Sequence, residues 1–194
     1  MTNQTAGDDY AQRLRAKSNV WWKKLLNVQA PYRWNLRRLH PGFTLDVGCG
    51  LGRNLVAVDG VGVDHNPAAV RFCRNQGLRA FVPEEFLASE WARPATFDSV
   101  LVAHVVEHMS RDAATELLST YVPFLKPDGA LIMITPQERG FRADPTHVEF
   151  VGFEAAFALQ RSVGFEPVSS ASFPFPRRAG KLFVYNEFVV VGRR

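Results

Sequence analysis

The chain has little cysteine, little histidine and no long apolar run, and each shortage removes a class of explanation. Two cysteines in 194 residues, Cys49 and Cys73, form neither a disulfide framework nor a CxxC metal pair, so both read as packing residues. No stretch of about 18 apolar residues is present to span a bilayer. The N-terminus carries Asp8 and Asp9 without a continuous apolar segment, which does not read as a secretory signal. A cytoplasmic protein is expected. Internal repeats and low-complexity segments are also lacking. What is there, 46% hydrophobic and 22% charged residues over the length of one domain, suffices to bury a core.

The formal charge of +4 is unevenly spread. Residues 1–40 hold eight Lys or Arg against two Asp, and the rest of the chain holds 15 against 17. Arg13, Arg15, Lys17, Lys23, Lys24, Arg33, Arg37 and Arg38 are interleaved with Trp21, Trp22, Tyr32 and Trp34. Leu14, Trp21, Leu25 and Val28 recur at helical spacing, so residues 1–40 read as an amphipathic helical extension, broken near Pro31 and resumed towards Leu39. It is either a solvated basic face anchored by aromatics or a lid that faces substrate. Phosphate, nucleic acid or an anionic lipid head group would be attracted to such a segment.

Residues 41–194 alternate short apolar runs with helical patterns, the signature of a mainly parallel sheet covered on both faces. Strands are expected near 43–48, 61–64, 78–82, 97–103, 129–135, 165–172 and 182–191, and helices near 67–76, 84–90, 104–124 and 153–163. Pro67 suits a helical first turn and Gly77 a C-terminal cap, while Lys126-Pro127-Asp128-Gly129 suits a tight turn. The last two strand candidates follow one another through Phe173 to Gly180 without a helix between them. They predict an antiparallel pair that finishes the sheet.

The first strand runs into Asp46-Val47-Gly48-Cys49-Gly50-Leu51-Gly52. Glycine accepts positive φ and lets another molecule lie against bare backbone, so something flat or anionic is expected at this turn. The dinucleotide fingerprint G-x-G-x-x-G requires a third glycine at 53 or 55, where Arg53 and Leu55 stand instead. A second strand, Val61-Gly62-Val63, ends on Asp64, placed like the acid that binds ribose hydroxyls at the carboxyl ends of open α/β sheets.

These motifs together resemble the class I S-adenosylmethionine-dependent methyltransferases. The resemblance runs over about 43–166 and rests on LDVGCGLGRN, VGVDHN, FDSVLVAHVVEHM and LKPDGALIMITP. It implies a Rossmann-like seven-stranded, mostly parallel sheet of order 3-2-1-4-5-7-6 with helices on both faces, in a methyltransferase domain over 41–194. It also implies that S-adenosyl-L-methionine lies against Gly48, Cys49, Gly50 and Gly52, with Asp46 orienting the loop. By the same resemblance Asp64 grips the ribose diol, Glu84 or Glu85 borders the adenine, and Ala103 closes the fourth strand beside the cofactor; His65, next to Asp64, is either a ribose neighbour or an exposed turn residue. The interval from Gly52 to Val61 departs from the pattern, leaving room for only an abbreviated first helix.

Five histidines occur in the chain, and two of them lie in His104-Val105-Val106-Glu107-His108. Positions i, i+3 and i+4 share one face if a helix begins there. A third, His147, follows the fifth strand, whose exit loop neighbours that of the fourth in this fold. Three imidazoles and Glu107 would then converge on a site suited to manganese, iron, cobalt or zinc. The arrangement resembles the E-x-x-E-H plus distant H pattern of small-RNA 3′-terminal 2′-O-methyltransferases, and the E-x-x-E-H of metal-dependent ubiquinone-biosynthesis O-methyltransferases. Glu107, His108 and His147 match it, and His104 replaces the first Glu. The plainer alternative is an acid–histidine pair with His108 as a general base or a helix-start residue.

Because the sulfonium methyl is already activated, the enzyme must align an acceptor and manage its proton. A metal lowers the pKa of a bound hydroxyl, and His104 or His108 would take the proton. The expected activity is therefore O-methylation of a small molecule, a sugar or phosphorylated diol. RNA 2′-O-methylation, a metal-free quinone or lipid methyltransferase and a non-catalytic cofactor-binding regulator are the rivals. Gln137, Glu138, Arg177 and Arg178 are candidates for substrate contact, whereas Tyr185-Asn186-Glu187 reads as structural.

Overall fold

The computed structural model describes residues 29–194. The helical pattern expected for residues 1–28 lies outside the described residues. Helix α1 (Ala30–Arg38) leads into β1 (Thr44–Val47), β2 (Gly60–Val63), α2 (Pro67–Asn75), β3 (Ala80–Phe81), α3 (Pro83–Leu87) and β4 (Phe97–Ala103). A 3-10 turn (Val106–His108), α4 (Arg111–Tyr121), a second 3-10 turn (Val122–Phe124), β5 (Leu125–Pro136), α5 (Glu138–Arg142), α6 (Phe153–Ser162), β6 (Glu166–Phe173), a third 3-10 turn (Arg177–Lys181) and β7 (Glu187–Arg193) follow.

The seven strands form one sheet in the order 3-2-1-4-5-7-6, parallel except for β7, which pairs antiparallel with β5 and β6. Alternation along the central strands explains the two covered faces. Leu45, Val47, Val100, Val102, Leu131 and Met133 pack into one cluster with Leu118 of α4 and Leu159 of α6. Leu101, Ala103, Ala130, Ile132 and Ile134 point the other way, into a cluster with Leu36 of α1 and Ala57. All four residues of β1 are buried, so no register slip is tolerated there.

Local sequence explains the boundaries. Asn66 caps α2 by accepting from the N–H groups of Ala68 and Ala69, Pro67 occupies the first helical position, and Gly77 leaves the helix at φ 76°. Between β1 and β2 there is one irregular turn and no helix, tied by Val56 N–H to Gly52 O and Ala57 N–H to Asn54 O. Arg37 of α1 clamps that crossover by donating to Ala57 O at 3.0 Å.

Three boundaries differ from expectation. The helix predicted over 104–124 starts only at Arg111, because Ser110 caps it by accepting from Ala113 N–H while Val105 and Met109 adopt non-helical backbone. Lys126–Gly129 is a register shift within β5 rather than a separate turn before it, the pairing jumping from Phe97 with Leu125 to Ser99 with Ala130. β7 begins at Glu187 rather than 182, after Arg177–Lys181 coil into the third 3-10 turn.

Candidate functional site

The glycine turn lies at the carboxyl ends of β1 and β2, and its backbone donors are already committed. Gly48 and Cys49 both donate to Val63 O, at 2.7 and 3.1 Å, and Gly52 donates to Cys49 O. Gly50 donates to Asp64 Oδ2 at 2.8 Å. A turn spent in this way has few amide donors left for a pyrophosphate, which corrects the reading of an anion cradle. It remains suited to a ligand that needs close approach to backbone. Gly48, Gly50 and Gly52 have φ of 77°, 52° and 76°, and a Cβ placed on Gly50 would meet nothing within 4 Å.

Asp46 lies beneath this turn, fully buried. Its Oδ1 accepts from Asn54 Nδ2 at 3.3 Å and its Oδ2 has no hydrogen-bond partner among the described residues. Burial pushes its pKa from 3.8 up to about 7, only partly opposed by the Asn54 hydrogen bond and the Arg53 charge. An orphaned carboxylate oxygen beneath a glycine turn suits the ammonium of an amino acid moiety, so these residues fit S-adenosylmethionine. Asp64 is nearly buried, and its oxygens accept from the N–H groups of Gly50 and Asn66, both at 2.8 Å, which fixes the carboxylate at the end of β2.

The other candidates in this half divide. His65 is exposed, with Nδ1 at 3.8 Å from Asp64 Oδ1. The Cys49 side chain packs under the turn with Leu55, Val70 and Cys73, so only its backbone can face a ligand. Glu85 is exposed and paired with Arg74 at 2.5 Å, and Glu84 is exposed on the same short helix. Ala103 is buried at the end of β4.

Beyond β4 the backbone turns sharply. His104 N–H still donates to Ile134 O, but its φ is 58°, a left-handed conformation rare outside glycine. The exit loops of β4 and β5 are then joined through Glu107, whose main-chain carbonyl accepts from Val148 and Glu149 at 2.7 and 3.2 Å. This join brings one donor atom each from Glu107, His108 and His147 within 4.8 Å of one another. Both of the Glu107 carboxylate oxygens are buried without a hydrogen-bond partner among the described residues.

The tautomers follow from the partners. His147 Nδ1 lies 2.7 Å from Phe141 O, and a carbonyl only accepts, so Nδ1 carries the proton. His108 Nδ1 faces Thr146 O at 3.2 Å and Thr146 Oγ1 at 3.1 Å, and that hydroxyl already donates to Asp144 Oδ1. In both rings Nε2 is left with its lone pair, the state a metal-binding imidazole requires.

His104 does not join them, contrary to the set of three imidazoles expected from a shared helical face. Its Nε2 lies 2.8 Å from Glu187 Oε1, and its Nδ1 lies 3.3 Å from Glu107 Oε1, outside hydrogen-bond geometry but within ion-pair reach. Burial alone would lower its pKa; the two carboxylates outweigh that and hold it at about 9. A ring in this state is a cation at neutral pH, with no lone pair for a metal or for an acceptor's proton.

Glu187 is thus a member of the site that the sequence reading had passed over as structural. Its register opposite Pro136 on β5 carries the signal, but only once the sheet order is known. Gln137 is the converse case. It is fully buried and tied to Ser172, Asn186 and the Glu187 carbonyl, a structural knot rather than a substrate contact. Glu138 pairs with both terminal nitrogens of Arg177, and Arg177 also lies over the Phe188 ring.

Fold, turn and matched sequence together make the chain similar to S-adenosylmethionine-dependent methyltransferases. Residues 45–131 match the family described as a methyltransferase domain. The chain is 34% identical over 113 residues to the ribosomal protein L11 methyltransferase of Ralstonia pickettii (strain 12J), covering 55% of this chain and 36% of that one. It spans 18% and 36% of the lengths of the curated relatives it matches. Among solved structures, an S-adenosylmethionine-dependent methyltransferase from Archaeoglobus fulgidus superposes with a TM-score of 0.68, 20% identity and coverage of 90% of this chain and 98% of that one. The 1,6-didemethyltoxoflavin-N1-methyltransferase of Burkholderia thailandensis, solved with its acceptor and S-adenosylhomocysteine, does so at 0.63, with 22% identity over 96% and 85%. At these identities the two structures establish the fold. No helix among the described residues is long and apolar enough to cross a membrane.

Proposed function

We propose that the chain transfers the methyl group of S-adenosylmethionine to a hydroxyl oxygen of a small-molecule acceptor, with a divalent cation held by Glu107, His108 and His147. The observation that carries this reading is Glu107, a fully buried carboxylate without a hydrogen-bond donor. Beside it stand two imidazoles whose Nδ1 protons are committed to the backbone. His104 lies within ion-pair reach of one of the Glu107 oxygens, but neither oxygen accepts a hydrogen bond from the described residues, and a divalent cation would supply that missing ligation. Two nitrogens and one carboxylate oxygen suit manganese, iron, cobalt or zinc, and three protein ligands leave positions open for an acceptor.

The residues divide the work. Gly50, whose Cβ position is open, admits the methionine portion of the cofactor against bare backbone, Gly48 and Gly52 hold the turn against Val105 and against Leu78 and Cys73, Asp46 faces the cofactor's ammonium and Asp64 its ribose hydroxyls. Glu107, His108 and His147 present their donor atoms from the exit loops of β4 and β5, next to the end of the strand that bears Ala103. A divalent ion bound there would supply Lewis acidity that lowers the pKa of an acceptor hydroxyl. That favours oxygen over nitrogen or carbon acceptors, which need less help with a proton, and a vicinal diol of a sugar is the natural two-oxygen partner.

Elemental analysis of protein purified without an affinity tag tests the metal. About one equivalent is expected in the wild type, lost in both His108→Ala and His147→Ala. With labelled S-adenosylmethionine and a panel of diols and catechols, an O-methyl product that disappears on chelation is expected. Full activity in a metal-free preparation would refute the reading.

A further inference from the structure

Resting on that metal reading, we infer that Glu187 is a positioning residue for the cation-binding carboxylate Glu107, acting through the ring of His104. Three elements meet in this contact. Glu187 opens β7, His104 leaves β4 and Glu107 sits in the first 3-10 turn. The His104 ring spans the interval, with Nε2 at 2.8 Å from Glu187 Oε1 and Nδ1 at 3.3 Å from Glu107 Oε1.

The chain of contacts has a direction. Glu107 is fully buried and its carboxylate accepts no hydrogen bond from the described residues, among which packing and the His104 ring set where its oxygens point. His104 is itself held in a left-handed backbone conformation, which a non-glycine residue keeps only where its surroundings over-determine it. Glu187 does this from the far side. It is nearly buried, at 6% exposure, and its backbone is anchored between β5 and β6 opposite Pro136 and Phe173. The rigid end of the sheet is thereby coupled to a carboxylate carried on a short, irregular turn. Carboxylate–histidine supports of this kind orient metal ligands, and their loss commonly weakens affinity about 10–100-fold.

The test measures Mn2+ binding by calorimetry on the full, untagged chain, with S-adenosylhomocysteine affinity measured in parallel. Glu187→Ala is expected to weaken Mn2+ binding about 10–100-fold and to leave S-adenosylhomocysteine affinity within about twofold. Glu187→Gln keeps an acceptor for Nε2–H and is expected to fall between Glu187→Ala and wild type. In a His104→Gln background, Glu187→Gln should add no further loss, because the path through the ring is already cut. A merely structural Glu187 would disturb both ligands alike, and that result overturns the inference, as does Mn2+ affinity equal to wild type in both single variants. A wild type that binds Mn2+, Co2+ and Zn2+ not at all overturns the metal reading itself, and this inference with it.

Discussion

Replacing Asp46 by Asn should flatten the pH dependence of stability while abolishing cofactor binding. Burial raises the Asp46 pKa from 3.8 to about 7 in the folded protein. At pH below 3.8 the group is neutral in both states and contributes no difference. Between 3.8 and about 7 the unfolded chain loses its proton and the folded chain keeps it, so stability falls as pH rises. Above about 7 the deficit is constant. At about 1.4 kcal/mol per pH unit the deficit totals about 4 kcal/mol, an upper figure for a site that can relax.

The Asn variant lacks this titration. Its amide leaves a buried donor in place of an orphaned acceptor, at a cost of about 1–3 kcal/mol that does not vary with pH. Every other carboxylate contributes equally to both proteins and cancels. Urea denaturation at pH 4, 5, 6, 7 and 8 is the assay. The stability difference, variant minus wild type, should rise by several kcal/mol between pH 4 and 7 and level off above. Isothermal titration at pH 7.5 should show S-adenosylhomocysteine binding only to the wild type. Parallel pH profiles would refute the account of Asp46 as a buried, unpaired acid kept for a ligand.

Two predictions concern the rest of the cofactor half. Asp64→Ala should weaken S-adenosylhomocysteine binding by at least about 2 kcal/mol, the scale of hydrogen bonds to a charged group; unchanged affinity by calorimetry would remove the ribose assignment. Gly48→Ala and Gly50→Ala should separate folding from binding. At Gly48 a Cβ would lie 2.3 Å from Val105 Cγ2 at a φ of 77°, so thermal unfolding should show a loss of about 2–4 kcal/mol, partly recovered by Val105→Ala. At Gly50 the space is open, so stability should fall by only about 1–2 kcal/mol while S-adenosylhomocysteine affinity drops much more.

Much of the architecture was legible from residue pattern alone. Leu45, Val47, Val100, Val102, Leu131 and Met133 recur at the period of a strand, Pro67 and Gly77 bracket a helix, and two strand candidates close the chain without a helix between them. Such features are local, and local chemistry decides them. The helix predicted over 104–124 failed because apolar periodicity cannot see a backbone reversal. His104 in a left-handed conformation and the Ser110 cap divide the segment, and the first is imposed by contacts with other elements.

By itself, the sequence carried the resemblance to a class of cofactor-binding enzymes. The glycines at 48, 50 and 52, the missing third fingerprint glycine and the acid at 64 depend on neighbours in the chain, so their meaning survives without coordinates. Only the tertiary structure decided how the histidines divide. His108 and His147 are 39 positions apart in sequence, yet both turn Nδ1 to a backbone carbonyl and bring a ring nitrogen within 4.8 Å of a Glu107 oxygen. His104, three residues from Glu107, instead turns to Glu187, a residue 83 positions away that becomes its neighbour because β7 inserts antiparallel beside β5. Spacing along a chain records which side chains share a helix or a strand face. It does not record which carboxylate a distant strand delivers, and that delivery separates an imidazole able to hold a metal from one held as a cation.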